Sequence, residues 1–289
     1  MAFDTKLKQW TSLGLGTVLM TGALAGCGEA TKPADTPAAA EVSEADDHGQ
    51  ADSEQHGAEA DAAAPAAVSG EGEGGVTIEA AYTDPVVYKA AIAIAAAHVL
   101  AARDAYAEGK TEAAAEMYAH PVSEVLFDME PVFTGQGVED FTGLFSDTSA
   151  AVFAGESQEQ INARTDEILA ALDKAAESAP ETDMSDAMVS ALVVSDQVER
   201  ASDMYVLSLD SDFYETYLDG YGFYKAAEKT FNESETAIEA ENANAASAIR
   251  SALALLAEAY PTALRPDSLD ADASALAVAA SEVQLELNQ

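Results

Sequence analysis

From about Val76 to the end of the chain, apolar residues return every three or four positions, and the alternation of a half-buried strand is nearly absent. The pattern predicts helices throughout. The first runs from about Pro85 to Glu108, with Tyr88, Ile92, Ala95 and Val99 on one side and Val87, Ile94, Ala101 and Ala105 on another, so it is expected to be buried on several sides. Gly109 closes it. A second helix starts near Thr111, and so short a link makes the two an antiparallel hairpin. Ser157 with Gln160 three residues on opens a helix that reaches about Ser178, its apolar face formed by Ile161, Ile168, Leu169 and Leu172. Further helices are predicted from about Asp183 to Leu209, from Ser211 with Asp212 and Glu215 at capping spacing, and through "SAIRSALALLAEAY" to Tyr260. Pro261 and Pro266 punctuate the link to a last helix near Ala271 to Leu287.

The two halves of this region match without gaps when one is shifted by roughly a hundred residues. Ala102, Asp104, Tyr106 and Tyr118 then stand against Ala201, Asp203, Tyr205 and Tyr217. Pro121 aligns with Gly220, and since proline breaks a helix and glycine weakens one, both halves are expected to interrupt their second helix at the same place. The fold class that follows is all-α. Two up-and-down four-helix bundles, 76–180 and 181–289, arise from an internal duplication and pack about a pseudo-twofold.

The amino terminus differs in kind. Lys6 and Lys8 precede the short apolar run "TSLGLGTVLMTGALAG", the order of a secretory signal peptide over 1–26. The run ends in "LAGC", Leu24 to Cys27, which resembles the lipobox of bacterial lipoproteins; the resemblance implies cleavage before Cys27 and its lipidation, and Gly28 after it implies the periplasmic face of a Gram-negative outer membrane. Cys27 is the only cysteine, so no disulfide or thiolate cluster forms within one chain. Residues 27–75, dominated by Ala, Pro, Gly, Glu and Asp with no aromatic residue, read as a disordered acidic tether. His48 and His56 lie in it among carboxylates, in a solvated linker or a weak metal-collecting tail. The net charge of -39 argues against nucleic acid and anionic lipid surfaces as partners, because both need a basic footprint.

Candidate chemistry gathers in "MYAHPVSEVLFDMEP", Met117 to Pro131. A residue before proline is pushed from helical angles, which predicts His120 at an N-cap, Pro121 at the first helical position and a short helix to Glu130. Val122, Val125, Leu126 and Met129 form its apolar stripe, and Glu124 and Asp128 project opposite. His98 sits in the all-round apolar helix at the same sequence distance from Gly109 as His120, hence at a similar height along the hairpin. His98, His120 and Glu124, with Asp128 in reserve, are a partial ligand set for iron, zinc or copper. One core histidine and one helix cap is the competing explanation.

The region after the tether is similar to imelysin-like proteins and related periplasmic iron-uptake lipoproteins, which carry two helical bundles from a duplication and a GxHxxE motif in the first. The resemblance implies metal binding through His120 and Glu124. Here "YAHPVSE" puts Tyr118 where the motif has glycine and spaces the pair by four, although three and four residues both return to one helical face. The imelysin name also carries a peptidase label, yet there is no HExxH stretch, and Ser123 beside His120 lacks an orienting acid, so no enzymatic activity is expected. Opposite His98, His120 and Glu124 the second half has Gln197, Asp219 and Phe223, which predicts no matching second site. Tyr214, Tyr217, Tyr221 and Tyr224 recur at helical spacing, as a core stripe or as ferric phenolate ligands. Two functions remain: a lipid-anchored envelope protein binding metal for uptake or storage, and a non-enzymatic tethered adaptor that binds another envelope protein.

Overall fold

The computed structural model of the chain describes residues 76–289; the signal segment, Cys27, the tether, His48 and His56 lie outside them. Among the described residues every regular element is helical. A short α1 (Ile78–Ala81) precedes α2 (Pro85–Ala107), which starts where Asp84 accepts from the amides of Val86 and Val87 and where Pro85, with no N–H to satisfy, takes the first position. At its end Gly109 has φ of 76°, the amide of Lys110 bonds to the carbonyl of Ala105 and that of Gly109 to Tyr106. This is a Schellman stop, and it turns the chain into α3 (Thr111–Pro121).

A π-helical turn (Val122–Leu126) and α4 (Phe127–Gly135) continue α3, followed by α5 (Thr142–Phe153) and α6 (Gln158–Ala176). The capping box of Ser157 and Gln160 forms as the sequence predicts. The other half comprises α7 (Asp186–Leu209), α8 (Tyr214–Glu241), α9 (Ala243–Ala259) and α10 (Ala273–Leu287). Asp212 and Glu215 do not make the expected box; the N-cap of α8 is Phe213, whose amide bonds to Ser211 Oγ.

Two features depart from expectation around the aligned pair Pro121 and Gly220. Pro121 does not start a helix, and His120 is no N-cap: both lie in the last turn of α3. The break is absorbed instead by the wider π turn, in which the amide of Phe127 reaches the carbonyl of Val122, five residues back. Gly220 interrupts nothing, since α8 runs unbroken through Gly220 and Gly222. These glycines serve close packing. A Cβ on Gly222 would lie 2.5 Å from the carbonyl oxygen of Ala97, so the bare backbone of α8 rests against α2 one residue from His98.

α2 is the axis of the molecule. It packs on α3 and α6 within its own half and on α7 and α8 of the other, and residues of both halves join one hydrophobic core. Its run of alanines allows that crowding, because small side chains let several helices approach one. By length and mean hydropathy of 1.7 it matches a membrane span, but 83% of that window is buried within the protein. It is the core helix of this fold. α3 packs on α5 and α5 on α6, while α8 and α10 each pack on α7 and α9.

Candidate metal centre

His98 lies in the middle of α2 with only 5% of its surface exposed. An imidazole there must be hydrogen-bonded to offset its desolvation. Its Nδ1 lies 2.9 Å from the carbonyl oxygen of Ile94, one turn back, an acceptor that fixes the proton on Nδ1. Nε2 is thereby the nitrogen that faces the neighbouring helices. Glu124 Oε2 stands 3.3 Å from it.

Glu124 comes from the π turn and His120 from the end of α3. In this wider turn, four residues return more nearly to the same direction than in an α-helix. The spacing of four therefore aims both side chains at one place, with His120 Nδ1 3.5 Å from Glu124 Oε1. The ring centroids of His98 and His120 are 6.1 Å apart. One ligand atom from each of His98, His120 and Glu124 falls within 4.8 Å of the others. Neighbouring ligands of a tetrahedral ion with bonds of about 2.0–2.1 Å stand about 3.4 Å apart, so modest side-chain rotation closes the cluster on an ion. These residues can hold a metal ion.

Asp128 does not join them. The π turn rotates everything beyond it, and Asp128 is exposed in the first turn of α4 while Met129 takes the buried direction. Ser123 donates its hydroxyl to the carbonyl of His120, not to an imidazole. The tyrosines of α8 are also committed: Tyr214 and Tyr217 donate to the carbonyls of Ala263 and Thr262, Tyr221 to Asp104 and Tyr224 to Glu228. Burial pushes all four phenols up, Tyr214 and Tyr224 to about 12, so none supplies a phenolate at neutral pH.

The sequence predicts no second site in the other half, yet α8 of that half lies against this one. Asp219 Oδ1 lies 3.8 Å from His98 Nε2, and Phe223 meets the His98 ring edge to face with centroids 6.1 Å apart. These are the positions aligned with His120 and Glu124.

The charge balance of the cluster is uneven. The hydrogen bond from His98, followed by the positive character of both imidazoles, holds Glu124 below the usual carboxylate range, against the burial that would raise it. Burial works against a proton on His98, but the bond to Glu124, the charge of Asp219 and the carbonyl of Ile94 together lift it above its ordinary value. Side-chain exposure rises from 6% at His98 through 21% at Glu124 to 33% at His120, so an ion would arrive from the His120 side. No family model, curated protein or solved structure is significantly similar to the chain.

Proposed function

We propose that the chain is a metal-binding lipoprotein of the bacterial cell envelope, whose helical domain captures iron or a related first-row ion for uptake or storage. The observation that carries this reading is the convergence of His98, His120 and Glu124, drawn from two helices and a π turn, with the His98 tautomer already fixed by a backbone carbonyl. Two imidazoles and a carboxylate suit iron, zinc or copper better than magnesium or calcium, which take oxygen shells. Partial exposure of His120 favours exchange over a permanent structural ion. The resemblance to imelysin-like iron-uptake lipoproteins and the "LAGC" segment support the envelope setting, with lipid on Cys27. An internal duplication belongs to this reading, and Tyr118 on α3 and Tyr217 on α8, which it aligns, are both fully buried.

The test is metal analysis of the full chain bearing His48→Ala and His56→Ala, after exposure to Fe²⁺, Zn²⁺ or Cu²⁺ and removal of loose ions at physiological salt. One tightly held ion per chain is expected. Retention of none sinks the reading. The second reading, a tethered adaptor for another envelope protein, draws on the apolar residues exposed where α7 meets α8, with Leu207 55% and Phe213 75% accessible. It becomes the better account if no ion is kept.

A further inference from the structure

We infer that the ion in this site keeps one coordination position for a donor from outside the protein, so that it is handed on by direct attack of an incoming ligand. The inference rests on the metal-site reading above and gives the chemistry of exchange there. His98 presents Nε2, His120 presents Nδ1, and Glu124 stands between them with Oε2 3.3 Å from the first and Oε1 3.5 Å from the second. The two oxygens of one carboxylate are too close together to fill two corners of a tetrahedron. Glu124 therefore counts as one corner, and the three residues supply a single triangular face.

Among the described residues, His98, His120 and Glu124 are the histidine and acidic groups whose ligand atoms converge. Asp219, 3.8 Å from His98 Nε2, has a further interaction in the structure and stays outside the converging set. Two imidazoles and one carboxylate, with water or substrate in the fourth place, is how proteins hold a zinc ion that must exchange ligands. A structural ion instead has all four corners filled by protein.

The packing decides which side that position faces. His98 is fixed within the core, its Nδ1 held at 2.9 Å by the carbonyl of Ile94 and its ring met edge to face by the buried Phe223. Exposure rises from His98 through Glu124 to His120, so the remaining corner of the ion opens on the His120 side. An acceptor can bind the ion there before any protein ligand lets go, and the buried His98 need not move for transfer to begin. Release by this route speeds up with the concentration of acceptor. Release from a shell closed by protein waits on the protein alone.

The experiment loads the full chain bearing His48→Ala and His56→Ala with Co²⁺, whose visible absorption reports its ligands, and adds azide at physiological salt, which screens the repulsion of an anion by the acidic surface. A further His120→Ala chain, its helicity checked by circular dichroism, controls for loosely held ions. The parent chain should retain one Co²⁺, and azide should shift its visible bands to a saturating limit while the ion stays bound. The parent chain loaded with Zn²⁺ should pass it to excess pyridylazoresorcinol, a chelating dye, at a rate that doubles when the dye is doubled. Bands that azide leaves unchanged, or a transfer rate independent of dye, show a shell closed by protein and overturn the inference while the metal-site reading stands. If the parent chain retains neither ion, or the His120→Ala chain retains as much, the metal-site reading itself fails and the inference with it.

Discussion

His98 and Glu124 form a pair whose strength depends on both being charged, and without metal this gives stability a definite pH profile. Glu124 is lowered in the folded state, so its contribution is present above the unfolded value near 4.5 and is lost as pH falls through the lower folded value. His98 is raised, so its contribution is present below 6.5 and is lost as pH rises through the higher folded value. The metal-free chain should therefore exceed Glu124→Gln in stability by a plateau between about pH 4.5 and 6.5, with a decline on either side. Urea unfolding across that range checks it, and a difference independent of pH contradicts the pairing. Metal affinity should run the other way and grow with rising pH, because the ion must displace the His98 proton. The height of His98 was legible in the sequence, because helical rise decides it, and so was the shared face of His120 and Glu124, although the π turn that sharpens their convergence was not. Asp219 was not. Its approach depends on how α8 crosses α2, and a sequence without the packing does not state that crossing.

The helices themselves were legible from period and from end signals such as Ser157 and Gly109, because these act locally and nothing in the packing opposes them. α5 was not, for the opposite reason. It is short, carries Gly143 and several Ser and Thr residues, and has Phe141 at its N-cap with no side-chain cap bond, so tertiary contact with α3 and α6 sustains it. The π turn was hidden because a proline in an apolar stripe reads as a helix start, whereas Val125, Leu126 and Met129 hold the chain in the core beyond it. Glycine shows how far packing overrides propensity. Gly143 lies in α5, where an added Cβ would meet nothing within 4 Å, so Gly143→Ala should raise stability by about 0.5–1 kcal/mol. Gly222 lies in a helix too, but its Cβ would meet the Ala97 carbonyl at 2.5 Å, so Gly222→Ala should lower stability by about 1–3 kcal/mol. It should also weaken Zn²⁺, by displacing α8 from His98. Denaturant unfolding of the two variants separates the effects, and a stabilised Gly222→Ala chain would show that the close approach is not required.

One core runs through both halves, and a helix apolar enough to cross a membrane sits at its centre. On the proposed function, the anchor is the lipid on Cys27 and not α2. Cys27→Ser should abolish lipid modification and release the protein from membranes, with mass spectrometry of the mature protein as the check. A lipid-modified product in the variant would end the lipobox reading. The acidic surface, with a net charge of -39, will gather cations loosely, so a specific site has to be separated from that background by a substitution. His120→Ala suits the purpose: its side chain is 33% exposed and its removal opens no large cavity in the core, unlike that of His98. The most direct measurement is thermal and denaturant stability of the wild-type and His120→Ala chains with and without Zn²⁺ at physiological salt. At a hundredfold excess over the dissociation constant, an ion that binds only the folded state adds about 2.7 kcal/mol. The wild-type chain should gain that amount and His120→Ala should lose most of it, whereas an equal gain in both chains, or none in either, would contradict a metal centre at His98, His120 and Glu124.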